Sequence, residues 1–345
     1  MILVLLSLAQ PMMGQSHQPR TLDWTWENDS FPDLFGGRYT DRHYTQGMAF
    51  SYYHYDAQSG GRNDFLCSTM FCKLFPTFGM EIEATRGGIE VGQRIYTPED
   101  IAFGRFGVGR SLDAFRLQAD DRPYAGYLYL QPQWERRGLT QSIFSQKKVP
   151  TRDRFGVSMG VVGPSSLAEE AQRRWHEIFN GVEPVGWNFQ LQDEFTINVQ
   201  AERTWLLSSN LDFLDTRLDL MPTLGIDLGT VSTRLTVGCE ARFGFGNIHE
   251  FFLPSLTSGS ESRKGAYLFG AAEGWLVGHN IFLDGNVYQT SHSVDKEVFV
   301  GEISLGVGLQ TDRFDARVSW VRRSIEFESQ DVPNSYLSAT LSFRF

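Results

Sequence analysis

Tyr336-Leu-Ser-Ala-Thr-Leu-Ser-Phe-Arg-Phe345 alternates from end to end. Leu337, Ala339, Leu341, Phe343 and Phe345 fall on one face of an extended chain. Ser338, Thr340, Ser342 and Arg344 fall on the other. Side chains of a strand point alternately to its two faces, so this is a strand with one apolar and one polar face. A strand finishing on an exposed Phe-x-Phe is a liability in water, where edges stick and ends fray. A closed barrel in the bacterial outer membrane has no edge and sets lipid against the apolar face.

The same pattern runs back through the chain. Val231, Thr233, Leu235, Val237, Cys239, Ala241 and Phe243 alternate with Ser232, Arg234, Thr236, Gly238, Glu240 and Arg242. Phe195 to Ala201, Phe299 to Leu309 and Phe314 to Trp320 behave alike. Both signs of charge lie on the polar faces, which predicts a lumen crossed by ion pairs rather than a wide pore. The strands expected are 21–28, 43–56, 79–95, 123–137, 153–163, 188–206, 212–228, 231–244, 265–284, 297–310, 313–325 and 336–345. Splitting 265–284 at Gly278-His279 gives an odd count, and single-chain bacterial barrels have even counts with both ends in the periplasm. The expectation is therefore an all-β fold: a twelve-stranded antiparallel transmembrane β-barrel with one short helix in an extracellular loop. Val231, Leu235 and Val237 should face lipid, and Arg234, Glu240 and Arg242 the lumen.

Composition agrees. The 345 residues include 27 Phe and 34 Gly, and no apolar run is long enough for a membrane helix. A mean hydropathy of −0.27 excludes a helical membrane protein and suits a barrel with a polar lumen. The net charge of −10 argues against nucleic acid as a partner. It does not argue against anionic lipid, for which local cations decide. Nothing in the sequence indicates an obligate protein partner. Residues 1–16 are expected to be a signal peptide or its remnant, with the apolar run at 2–9 and no preceding Lys or Arg. Residues 20–345 then form a single barrel domain. Cys67 and Cys72, close together in an irregular stretch, are either a local disulfide or two free thiols; Cys239 lies on an apolar strand face.

Strand parity places segments 29–42, 96–122 and 164–187 outside the cell, and 57–78 and 138–152 in the periplasm. The chemically unusual residues gather in the first set. Segment 165–180 is the one clear helix, with Ser165 or Ser166 available as cap and Glu169–Arg173 and Glu170–Arg174 spaced as i,i+4 pairs. Gln172 and His176 share a face of it. His176 is either a general base or a rim histidine bonded to a neighbour. Asn28 and Asp29 end the first strand and Thr45 opens the second. Asp29 and Glu183 are hard-oxygen donors of the kind Ca²⁺ takes. Arg122, opening a strand, either holds a phosphate or acidic sugar or pairs with Asp120 or Asp121. Tyr96 is expected in the interfacial aromatic girdle. His43, His54, His249, His279 and His292 read as structural or surface residues. There is no Gly-x-Ser-x-Gly, phosphate loop or Cys/His metal cluster in the sequence.

Several blocks together carry a family resemblance. They are Glu27-Asn28-Asp29; Asp41-Arg42 through Tyr44-Thr45-x-Gly47; and Gly92-Gln93 through Tyr96-Thr97-Pro98. Asp121-Arg122-Pro123-Tyr124-Ala125-Gly126 follows, then Gly160-Val-Val-Gly-Pro164 running to Gln172 and His176, and Trp187 through Gln190-Leu191. The chain from about Asp23 to Phe345 thereby resembles the LpxR family of outer-membrane lipid A 3′-O-deacylases, most specifically in Gly-Pro…Gln-x-x-x-His.

The resemblance implies a twelve-stranded barrel with its active site at the extracellular rim, acting on lipid A of lipopolysaccharide in the outer leaflet. It implies Ca²⁺-dependent release of the 3′-linked acyloxyacyl group. His176 is then the base that activates water, with Asn28, Asp29 and Thr45 around it, and Asp29 and Glu183 are the carboxylates on the metal side. Gln172 and, on its phosphate reading, Arg122 are the further candidates for substrate binding. The family pattern has a lysine a few residues after the Tyr-x-Pro motif. Here Phe103 lies nearby, and Arg105 and Arg110 are the closest cations and the candidate phosphate ligands. The rivals are a rim phospholipase acting on glycerophospholipids and a barrel with a structural or adhesive role and no catalysis.

Overall fold

A computed structural model describes residues 20–29, 42–56, 76–99, 101, 120–141, 147–179, 184–211, 216–246 and 264–345. Its strands are β1 (Arg20–Asn28), β2 (His43–Asp56), β3 (Glu81–Thr97), β4 (Ala125–Gln141), β5 (Lys148–Val162), β6 (Glu194–Trp205), β7 (Leu207–Leu211), β8 (Thr216–Gly229), β9 (Ser232–Gly246), β10 (Gly265–Asn280), β11 (Phe299–Gln310), β12 (Phe314–Arg323) and β13 (Asn334–Arg344). Neighbours pair antiparallel in chain order. β1 also pairs with β13, and β8 pairs with both β6 and β7. β7 continues β6 past Leu206, so thirteen segments make twelve staves and the sheet closes. Pairing of β1 with β13 and of β6 with β8 closes the ladder, so the strands satisfy one another without water, as a lipid environment demands.

The register sorts the faces. Thr25 Oγ1 meets Thr340 Oγ1 at 3.2 Å and Ser338 donates to Glu27 at 3.1 Å, so the polar face of β13 looks inward. On the other face Trp24 stacks on Phe50 with centroids 6.4 Å apart. Leu235 and Val237 are exposed on the outer wall, while Arg234 and Glu240 line the interior and Arg242 is fully buried against Asp219. Val231 departs from expectation. It sits in the tight β8–β9 connection, 5% exposed, and packs into the mouth of the lumen instead of facing lipid.

Ion pairs cross the lumen as the alternating charges predict. Arg86–Glu135 (2.7 Å), Arg136–Asp153 (2.8 Å) and Arg317–Glu240 (2.5 Å) are examples. Such pairs add little net stability, because desolvation offsets their attraction; removing one partner is what costs, at roughly 3–5 kcal/mol. Between them lie polar cavities of about 290 and 560 Å³.

Aromatic side chains pack across the end remote from the termini. Helix α2 (Ile281–Asp284) follows β10 directly, with the Asn280 side chain capping Phe282 N–H at 3.1 Å. This turn replaces the last residues of the single strand expected over 265–284. Phe282 stacks on Tyr96 at 4.0 Å, and Tyr44 packs on Tyr96 and Tyr336. Tyr96 is therefore part of the plug rather than of an interfacial girdle. Residues 187–189 form a 3₁₀ turn, so the sixth strand begins at Glu194 and not at 188. Residues 1–16, Cys67, Cys72, Arg105, Arg110, Glu183 and His249 lie outside the described residues.

Candidate active site

Strand parity puts the candidate residues on the outside of the wall. On β1, Thr21, Asp23, Thr25 and Glu27 line the lumen, so Trp26 and Asn28 face out. On β2 the register slips between Tyr44 and Gln46. This bulge turns Thr45 outward beside Thr97 of β3, and their hydroxyls bond at 2.7 Å. Asn28 Nδ2 donates to the Thr45 carbonyl at 3.4 Å, and the same carbonyl accepts the Asp29 N–H at 3.2 Å. Asn28, Asp29, Thr45 and Thr97 are each at most 2% exposed. Polar groups buried on the lipid side of a barrel wall need a cover.

Helix α1 (Ala168–Phe179) lies on this side of the wall. A 3₁₀ turn, Pro164–Ser166, precedes it, and Leu167 in the left-handed region separates the two. Ser166 therefore does not cap α1; its hydroxyl donates to the Gly163 carbonyl at 2.6 Å. Glu169 and Arg173 form the expected i,i+4 pair. The start of α1 lies on the outer face of β4 and β3. Gln93 Nε2 donates to the Ser166 carbonyl at 2.7 Å, and Ala168 joins Ile95, Tyr124 and Trp187 in an apolar cluster. The end of α1 lies over β1, where Trp175 packs on Trp26 with centroids 5.8 Å apart. Trp175 adjoins His176 and Trp26 is two residues from Asn28, so the last turns of α1 stand beside the end of β1.

His176 and Gln172 occupy the inner face of this helix, 5% and 1% exposed. Gln172 Oε1 accepts the Trp187 indole N–H at 2.9 Å, while its Nε2 has no partner among the described residues. The outer face carries Ile178 and Phe179, 71% and 62% exposed. In a surface helix beside a lipid-facing wall, such residues meet acyl chains.

Asp29 accepts the Arg42 N–H at 2.7 Å through Oδ2. His43 follows in the left-handed region, φ +65°, and is buried with neither ring nitrogen bonded among the described residues. Among the described residues no three His, Cys, Asp or Glu side chains converge. Asp29 with the neighbouring amide and hydroxyl oxygens is a hard-oxygen corner, short of the six to eight oxygens Ca²⁺ takes. Glu183, the expected second carboxylate, lies outside the described residues, as do the phosphate candidates Arg105 and Arg110.

Arg122 lies inside the rim, away from the outer wall. It has no exposed surface; its Nη1 bonds Glu326 at 3.2 Å and its guanidinium lies 4.9 Å from the Tyr96 ring centre. In this position Arg122 joins the rim to the lumen through Glu326. Its partner is neither Asp120 nor Asp121. Asp121 instead accepts the Glu99 and Arg122 N–H groups, at 2.8 and 2.7 Å. Burial leaves the Asp121 carboxyl above its usual value despite these two bonds. Burial also pushes the Glu326 carboxyl up, but the Arg323 and Arg122 guanidiniums outweigh it and hold it low.

On the opposite arc of the rim His279 Nδ1 pairs with Asp284 at 3.2 Å, and Lys296 meets the same carboxylate at 2.8 Å. Against burial, these bonds hold the Asp284 carboxyl down at about 2. His279 is a structural residue, as its sequence setting suggests. Sequence reasoning missed Thr97, Gln93 and Trp187 as parts of the site's frame. Thr97 stood inside a quoted block, but its outward face follows only from the bulge at Thr45.

The chain matches the family described as outer membrane protein LpxR over residues 1–345. Among solved structures it is similar to LpxR from Salmonella typhimurium, with TM-score 0.66 and 19% identity over 94% of this chain and 99% of that one. The translocator domain of autotransporter NalP from Neisseria meningitidis is more distant, at TM-score 0.39 and 9% identity over 97% and 91%. The transport unit of autotransporter AIDA-I from Escherichia coli gives TM-score 0.38 and 7% identity over 98% and 93%. No curated protein matches the chain in sequence.

Proposed function

The chain belongs to the LpxR family of outer membrane proteins, and on that premise we propose that it is a lipid A 3′-O-deacylase working from the outer leaflet. The end that carries α1 is then extracellular. The observation that carries the reading is a histidine 5% exposed on a helix lying against the outer side of the barrel wall, whose neighbour Trp175 packs on Trp26, two residues from Asn28. A residue so placed serves a substrate that arrives sideways through the membrane.

In this reading a lipid diffuses along the leaflet until its 3′-ester lies between α1 and the wall. The His176 imidazole accepts a proton from water as the oxygen of that water adds to the ester carbonyl. The carbon–oxygen bond to the sugar breaks, and the imidazolium returns the proton to the leaving alkoxide. The products are a free acyloxyacyl acid and a 3′-hydroxyl on lipid A. A developing oxyanion needs positive charge or hydrogen bonds aimed at it. Ca²⁺ held by Asp29 and Glu183 supplies that charge when bound. Gln172 Nε2 is placed to donate a hydrogen bond, and α1 keeps bulk water out. Arg105 and Arg110 are the cations proposed for the lipid phosphates.

The test is mass spectrometry of lipid A after expression in a host lacking this activity. Loss of the mass of one acyloxyacyl group from the 3′ position is expected. Shortened glycerophospholipids would instead reassign the substrate, and unchanged lipids would leave a barrel without catalysis.

A further inference from the structure

A continuous chain of hydrogen bonds runs over the rim from Asp29, on the outer wall, to the lumen. Asp29 accepts the Arg42 N–H. The Arg42 guanidinium holds Glu99, and the Glu99 N–H donates to Asp121 at 2.8 Å. The other oxygen of Asp121 takes the Arg122 N–H at 2.7 Å, and the Arg122 guanidinium is bonded to Glu326 at 3.2 Å. Glu326 meets Arg323 at 3.5 Å, which is held in turn by Glu302 at 2.8 Å.

This chain joins the bases of three connections: the one between β1 and β2, the one between β3 and β4, and the one leaving β12. Charged groups make up most of its links, and charge-assisted bonds are the directional and strong ones. Its inner half is buried, with Arg122 and Glu326 at 0% and 4% exposure. Its outer link is open, since the Glu99 side chain is 44% exposed. Asp29 closes the end of β1, and the N–H it accepts belongs to the residue just before the left-handed turn at His43.

We propose that Arg42, Glu99 and Asp121 are positioning residues that aim the Asp29 carboxylate, with Arg122 and Glu326 as their anchor inside the barrel. The proposal rests on the deacylase reading only for its kinetic arm. Outer partners of this kind change activity by about 10- to 100-fold when removed.

The experiment compares Glu99→Gln, Asp121→Asn and Glu326→Gln with wild type in detergent. Two quantities are read: hydrogen exchange at the Arg42 amide, and the split of kcat from KM on purified lipid A. Each variant is expected to speed exchange at Arg42 and to lower kcat by about 10- to 100-fold with KM unchanged. Glu326 faces the lumen, where lipid does not reach, so an effect there reports positioning and not substrate contact. Unchanged exchange in the three variants overturns the proposal. So does a raised KM at constant kcat, which would make Arg42 and Glu99 substrate contacts. Should Asp121→Asn fail to fold, Glu99→Gln, at an exposed residue, still decides. Should wild type show no turnover, the deacylase reading fails while the exchange arm still judges the chain.

Discussion

His176 carries the most weight among single residues. It is one of seven histidines, and it lies on a helix packed against the outer wall. Replacing a general base lowers rate by about 10² to 10⁴. His176→Ala and His176→Asn are thus expected to insert as normal barrels, by heat-modified gel mobility, and to lose lipid A turnover by at least about a hundredfold. His279→Ala removes a partner of Asp284 on the other arc of the rim and is expected to keep its turnover. Metal dependence is tested at the same scale. Excess chelator should abolish hydrolysis, added Ca²⁺ should restore it, and Asp29→Asn should not be restored. Full turnover in chelator would remove Ca²⁺ from the mechanism. The sequence named His176, Gln172, Asn28, Asp29 and Thr45 because each sits in a motif block or at a strand end. It did not show Glu326 as the partner of Arg122, because Glu326 is 204 residues away and no local spacing announces it.

Elements place these residues, and helix α1 is the decisive one. Its start lies so close to β4 that a Cβ at Gly126 would stand 2.1 Å from Ser166 Oγ and 2.2 Å from Ala168 Cβ. Gly126→Val must push the helix away from the wall. Displacements of about 1 Å can cost about a hundredfold in rate. A loss of that order is expected while the barrel still inserts. Gly274→Val is the control, since a Cβ there meets nothing within 4 Å. Helix α2 offers a test of electrostatics. A carboxyl held down at about 2 adds stability above its ordinary value of 3.8, and loses it as pH falls through about 2. Asp284 is partly exposed, so screening limits the gain to about 1 kcal/mol or less. Heat-modified mobility should show Asp284→Asn less stable than wild type at pH 7, with the difference shrinking as pH falls from about 3.8 through about 2. A constant difference would mean the clamp is not ionic. Helix α1 was legible from its i,i+4 pairs, whereas α2 was not. Four residues give too short a period to read, and Ile281-Phe-Leu283 extends the apolar pattern of the preceding strand.

At the scale of the molecule, the twelve staves were legible because period 2 is unmistakable over ten or more residues. Their ends were not, since a polar rim residue and a polar lumen residue look alike in sequence. What alternation does fix is the side of the wall to which each candidate residue points. Asn28 and Thr45 face out while Glu27 and Tyr44 face in, one residue apart. The lumen and the candidate site are therefore separate compartments, and the aromatic plug around Phe282 packs across the lumen at the site's end. On the proposed reading, a substrate with long acyl chains reaches the site from the leaflet and not through the lumen. Two single cysteines separate the routes, in a chain whose three native cysteines are replaced. Gln200→Cys lines both lumen cavities, and a bulky maleimide there should leave lipid A turnover unchanged. Met48→Cys lies on the outer face, paired with Trp26 of β1 and Gln93 of β3, below the helix. The same label at Met48→Cys should block turnover. Inhibition from the lumen with none from the wall would reverse the argument, because it would require substrate to enter through the barrel.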